Sequence, residues 1–215
     1  VYKMNHYIAR DLRIALHRRY TYAYVIGIVA LCLIANIAVV GFRMIYGTND
    51  RTFAYNLIDY ATWCFIIPYY SCICICDIVF GKTYPNPRIK DKITKNMNRT
   101  QIYFSKFIAS LVLALVFVVI AFVVLMLTTT LFQFGDGTMD WWVVQDFLSK
   151  MVLALPMWVA GISISNMCLF ITKNKKKAFV YFFILTVLIP RIIMFFAADP
   201  FEWEIFKTLR VYLMS

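Results

Sequence analysis

Apolar residues run almost unbroken through five stretches, 20–42, 54–80, 102–134, 144–171 and 178–198, with short polar segments between them. A bilayer core takes about 20 apolar residues per helix, so each stretch predicts a transmembrane span. The pattern predicts an all-α integral membrane protein with five visible transmembrane helices in a single domain, 1–215. Asn36 is the only strongly polar side chain inside the first stretch. The second carries Asp59 near one end, Pro68 in the middle and Asp77 near the other, and the fifth is interrupted by Pro190 and Arg191. The third is longer than a bilayer needs, so its first turns should project into water or the helix should tilt. Two flanking segments predict helices lying on the membrane. In 1–19, Met4, Ile8, Leu12, Ala15 and Leu16 share one helical face opposite Lys3, Arg10, Arg13 and His17, the pattern of an amphipathic elbow helix. In 200–213, Asp199 is placed to cap a helix opening on Pro200, with Phe201, Ile205, Leu209 and Tyr212 on one face, an expected outer-surface helix.

The polar segments carry the orientation signal. Lysine and arginine number five before the first stretch, two in the next segment, seven between the second and third (Lys82, Arg88, Lys90, Lys92, Lys95, Arg99, Lys106), none after the third, and four at Lys173 and Lys175 to Lys177. Cytoplasmic loops collect these residues, so the alternation predicts a cytoplasmic amino terminus and a long cytoplasmic loop between spans two and three. Trp141, Trp142 and Tyr46 then fall at the outer interface.

Composition agrees with lipid as the main solvent: 62% of residues are hydrophobic, 15% are charged and the mean hydropathy is +0.72. The net charge of +11 sits in the gaps between apolar runs rather than in a stripe on a soluble surface, which argues against nucleic acid as a partner. All six cysteines fall within apolar stretches and read as small packing residues. Cys72, Cys74 and Cys76 step by two, about 200° apart on a helix, and so do not converge on one metal. Gly81-Lys82-Thr83 lacks the earlier glycine of a phosphate loop, since Cys76 stands there. The sequon Asn98-Arg99-Thr100 falls on the expected cytoplasmic side. No catalytic grouping is visible, and neither a cofactor nor a metal is expected in this chain.

The segment 77–106 is the most informative. Pro87 suits a first helical position, and Ile89, Ile93 and Met97 recur on one face with Lys90, Lys92 and Lys95 elsewhere, which predicts a short amphipathic coupling helix over 87–97. Asn98 is placed to end it and Thr100 to cap the third span. A helix at the inner mouth of two spans is positioned to dock a cytoplasmic partner; the plainer reading is a basic loop touching anionic headgroups. Charges within spans are the other candidates, because an ionisable group in hydrocarbon is costly without a partner or a wet cavity. Asp77 is expected to play a structural role at the start of the loop, Arg191 either anchors in the outer leaflet or lines a pathway, and Asp59 and Lys150 read as interface anchors. Ala160, Gly161, Ser163 and Ser165 would let span four pack closely on a neighbour.

This segment resembles the second intracellular loop of ABC-2 type permease subunits of ATP-binding-cassette exporters. Asp77, Gly81, the stretch 88–97, Asn98-Arg99 and Ser105-Lys106 stand where that family has an acidic residue, a glycine, a coupling helix, a small-residue/arginine pair and a Ser/Ala-Lys pair. The elbow and outer helices extend the likeness over most of the chain, although the small residue before the arginine is Asn98 and the family's sixth span is missing. The resemblance implies six spans in the full subunit, and hence a chain incomplete at its carboxyl end. It implies docking of a cytoplasmic ATP-binding subunit, in two copies, through Arg88, Ile89, Lys90, Lys92, Ile93, Lys95, Met97 and Arg99. ATP and Mg would be bound by that partner. It further implies a second permease subunit, as homodimer or heterodimer, in a bacterial plasma membrane, and export of a hydrophobic or amphipathic substrate such as an antimicrobial peptide or drug. The competing expectation is a channel or sensor that works without an ATPase.

Overall fold

The computed structural model describes residues 2–46, 58, 61–62, 64–80, 99–132 and 141–196. The described residues are almost entirely helical: α1 (Tyr2–Leu16), α2 (Arg19–Tyr46), α3 (Ile66–Phe80), α4 (Arg99–Phe132), α5 (Trp141–Thr172), α6 (Lys175–Phe183), a π-helical turn (Ile184–Leu188) and α7 (Ile189–Phe196). Four helical stretches are long and apolar enough to cross a membrane: Arg19–Phe42, Thr100–Phe132, Trp141–Thr172 and Lys175–Phe196. Their outward faces are apolar, with Ile26, Ile34, Leu115, Leu131 and Leu153 each more than half exposed, as expected of a multi-pass membrane protein whose surrounding solvent is hydrocarbon. The expected helices over 87–97 and 200–213 lie outside the described residues, as does Asp59.

Compact units cover Val1–Asn166 and Met167–Ser215. In the first, α4 is the central helix and packs against α1, α2 and α3. At 34 residues it is about 51 Å long at 1.5 Å per residue, well beyond a hydrocarbon core of about 30 Å. Thr100, expected as its cap, lies instead inside its first turn, since the helix already begins at Arg99. On the opposite flank Asn36 is fully buried against α4: its Nδ2 donates to Thr128 Oγ1 at 3.1 Å and to Cys32 O at 2.9 Å. An interhelical bond of this kind contributes about 0.6 kcal/mol in a membrane protein.

Of the second expected span, 54–80, the described residues are 58, 61–62 and 64–80. Turn bonds from Cys64 to Ala61 and from Phe65 to Thr62 precede a helix of 15 residues, and Pro68 falls in the first turn of α3 rather than mid-span. Proline has no N–H to donate, and the first turn of a helix asks for none. The α3 face that meets α5 is set by Gly161: a Cβ built there would lie 2.9 Å from Tyr69 Cδ2 and 3.2 Å from Cys72 Sγ. Cys72 and Cys76, one turn apart, are buried with their thiols toward the carbonyls of Trp158 (3.7 Å) and Ile162 (3.8 Å), while Cys74 is exposed. The three do not converge on one point, as expected, but Cys74 and also Cys64 are exposed rather than the packing residues the sequence suggested, because steps of two residues turn Cys74 to the far side of the helix. Of the small residues in α5, Gly161 and Ser165 are buried, Ser163 is half-buried and Ala160 is exposed, so the close approach uses only part of the motif.

In the second unit, Lys173 takes a left-handed conformation (φ 52°) that ends α5, and Asn174 Oδ1 accepts from Lys176 N at 3.1 Å to cap α6. Pro190 does not break the next helix. It leaves the carbonyl of Thr186 without its usual i+4 donor, and the backbone widens so that Ile189 N–H reaches Ile184 O, five residues back. Arg191 is exposed on α7.

Candidate functional site

The last four carbonyls of a helix have no partner within it and carry the negative end of the helix dipole. At the end of α3, three of the four accept from cationic side chains. Arg18, at the junction of α1 and α2, donates to Ile78 O at 2.7 Å and to Asp77 O at 3.5 Å. Lys106, in the second turn of α4, donates to Val79 O at 3.2 Å. Both stems of the segment 81–98 are therefore tied to the same polar cluster.

Lys106 is only 2% exposed, and its ammonium is matched on several sides. Asp11 Oδ2 lies 2.6 Å away, and the rings of Tyr7 and Phe80 each lie 5.6 Å from Nζ. Arg10 is 3.6 Å from the other oxygen of Asp11 and stacks over Tyr7 at 4.7 Å. A buried charge costs several kcal/mol unless paired and hydrogen-bonded, and this one is both. The cluster docks α1 through Tyr7, Asp11 and Ala15, which recur every fourth residue and are all buried. That face sits one position round from the apolar face predicted for 1–19: Ile8 and Leu12 are half-buried and Leu16 is exposed. The demand of Lys106 for a counter-charge outweighs the hydrophobicity of Leu16, and the apolar edge of α1 is left outward.

Burial raises the Tyr7 hydroxyl from its ordinary value of 10.0 to about 12, and the carboxylate of Asp11 adds to the effect while Arg10 opposes it. The neutral phenol of Tyr7 therefore stabilises the docked helix fully below pH 10, and this contribution is lost as pH rises from about 10 to about 12, because only the unfolded chain ionises there. Hydrogen exchange of α1 in detergent micelles should speed up across that window in the native chain, with Tyr7→Phe lacking the phenol-dependent component. Equal alkaline profiles for the two would remove Tyr7 from the account.

A cavity of about 430 Å³ lies deeper in the first unit, between α2, the stretch 61–75, α4 and α5. Its walls include Ile28, Ala35, Phe65, Ala121 and Trp158. The space is half-open rather than enclosed: Leu31, Leu115 and Leu155, which line it, are 51%, 62% and 41% exposed. Its polar wall groups are largely satisfied by one another: Tyr24 O–H donates to Ser71 Oγ (2.7 Å), Ser71 Oγ to Pro68 O (2.9 Å), Cys72 Sγ to Pro68 O (3.2 Å) and Trp158 Nε1 to Phe65 O (2.9 Å).

Of the residues singled out in the sequence, Arg88, Ile89, Lys90, Lys92, Ile93, Lys95 and Met97 lie outside the described residues, and Arg99 opens α4. Asp77 stands in the last turn of α3, with its carbonyl held by Arg18. Lys150 forms an exposed i,i+4 pair with Asp146 at 2.9 Å, a surface contact. Sequence reasoning counted Lys106 among loop cations and overlooked Asp11. The signal was present, since Asp11 is the only acidic residue in 1–19 and falls four residues from both Tyr7 and Ala15. Comparison with protein-family models, curated proteins and solved structures finds no match to this chain.

Proposed function

We propose that the chain is the membrane-embedded, non-catalytic subunit of an ATP-driven translocase. Within that class the reading is an ABC-2 type permease with five spans visible in this sequence, an inner-surface elbow helix at α1 and the amino terminus in the cytoplasm of a bacterial cell. The 81–98 segment docks a cytoplasmic ATP-binding subunit, and the substrate is a hydrophobic or amphipathic molecule such as an antimicrobial peptide or drug. Hydrolysis of ATP, with its Mg, belongs to the partner, and a second permease subunit completes the pathway.

The observation that carries this reading is the polar cluster at the stems of the basic segment. A coupling loop transmits force only if its ends are fixed to the helices that must move, and packed helices shift as bodies between discrete arrangements. Here Lys106 and Arg18 fasten the end of α3 to the start of α4 and to α1. A push on 81–98 would therefore move α1, α3 and α4 together rather than flex a loose connection.

The test is charge reversal in the docking segment. With Lys92→Glu and Arg99→Glu combined, the tagged chain should purify from membranes without the Mg-dependent ATPase activity that accompanies the native chain. Vesicle export should fall by at least tenfold, as expected when close interfacial charge pairs are reversed. Native-level co-purification and transport in the variant would reject the docking role. If the native chain itself brought down no ATPase, the channel or sensor reading would replace this one.

A further inference from the structure

We propose that the cavity between α2, the stretch 61–75, α4 and α5 is a binding site for a hydrocarbon chain, and that its occupant is one acyl chain of a bilayer lipid. The inference does not depend on the transport reading.

Size, chemistry and setting converge on that occupant. The cavity is about 430 Å³, within the range of small-molecule sites. A methylene group takes up roughly the room of a water molecule, ~30 Å³, so there is space for on the order of a dozen carbons. Water is a poor filler, because a buried water needs two to four polar partners. Here the hydroxyls of Tyr24 and Ser71 and the indole N–H of Trp158 already donate within the protein. Among the described residues that line it none is charged, which favours an apolar occupant over a headgroup, an ion or a charged peptide. Three of the four surrounding elements, α2, α4 and α5, are long enough and apolar enough to span a bilayer, so acyl chains are the most concentrated apolar ligand at that depth. The wall also departs from ordinary close packing: Ala35, Ala61 and Ala121 stand where larger side chains would close the space. Because the space is half-open toward the surrounding apolar phase, a chain can enter it from the side, and these small residues leave it room.

The test uses the whole chain purified in detergent and then returned to phosphatidylcholine vesicles containing a small fraction of lipid with a diazirine near the end of one acyl chain. Mass spectrometry after irradiation should place cross-links on Trp158, Phe117 and Cys72, which are 6%, 3% and 2% exposed and thus poorly reached by bulk lipid. Filling the cavity with Ala121→Phe, or independently with Ala35→Phe, should reduce labelling at these three positions by at least tenfold. Labelling of the outward Leu131 should be unchanged. Stability gives the second readout: native protein stripped of lipid should melt at a lower temperature and recover when phosphatidylcholine is restored. The filled variants should melt without responding to lipid, and a cooperative melt also shows that they fold. Labelling confined to Leu131 and other outward residues, or equal labelling of the three buried positions in native and filled chains, would overturn the proposal. So would a filled variant that folds but retains the full lipid response. Because neither ATP nor a partner enters the experiment, its failure would leave the docking test above untouched.

Discussion

Asp11→Ala is expected to destabilise the first unit by about 3–5 kcal/mol, the usual cost of leaving one member of a buried ion pair alone. The Lys106 ammonium would keep the Val79 carbonyl and two aromatic faces but lose the carboxylate 2.6 Å away, at a site 2% exposed. Lys106→Met should cost less, because the Asp11 carboxylate retains Arg10, which is partly exposed and close by. The double variant Asp11→Leu with Lys106→Met should recover much of the loss, since replacing both charges by apolar groups removes the desolvation cost along with the attraction. Unfolding in detergent micelles, followed for the four members of this cycle, measures the coupling directly. An Asp11→Ala chain within about 0.5 kcal/mol of the native one would mean that the pair is not buried as described. In a coupled transporter the double variant makes a sharper distinction: stability would return but transport would not, if the ionic contact between α1 and α4 carries the motion.

Gly161→Leu should lower stability by about 1–3 kcal/mol, the usual cost of forcing extra methylenes into a packed contact. The first added carbon already meets the Tyr69 ring at 2.9 Å, and Cys72 Sγ lies 3.2 Å away, so the Tyr69 ring must turn aside or α3 and α5 must separate to admit more. Gly27 and Gly41 on α2 provide the internal control. Nothing lies within 4 Å of a Cβ at either, so alanine there should be neutral or stabilising by up to about 1 kcal/mol through helix propensity alone. Melting temperatures of the three variants, read in one detergent, separate a packing role from a general intolerance of substitution. If Gly161→Leu melted with the native chain, the close approach of α3 and α5 would be refuted.

Much of the helical plan was legible because it follows from local chemistry. A continuous apolar run such as 102–134 is far longer than the roughly 10 residues of a barrel strand, so in hydrocarbon it is left with a helix that satisfies its own backbone bonds. The structure gives that helix at 99–132, the helix of the fourth expected span at 141–172, and two residues of chain, Lys173 and Asn174, before the next helix. Proline was harder to read. Pro68 and Pro190 look alike in the sequence, yet one starts α3 and the other is absorbed by a π turn. The outcome depends on whether the carbonyl four residues back can be relieved, and that is settled by neighbouring turns rather than by proline itself.

The candidate site was legible only in pieces. Asp77, Arg99 and the lysines of 82–106 stood out as charges near apolar runs, but a list of charges does not say which are desolvated. Lys106 looked like its neighbours in the loop, and only the arrival of α1 beside α4 shows it to be an interior ion. Hydropathy and helical period, properties of each segment and its solvent, predict from the sequence alone an all-helical chain with a basic segment between two of its apolar runs, and the four long apolar helices are compatible with a multi-pass membrane protein. The tertiary structure decided which face of α1 turns inward, which cysteines pack, and that Asp11 meets Lys106 across 95 positions of chain. Such partners are brought together by packing geometry, and packing between distant segments leaves no period in the sequence from which to read it.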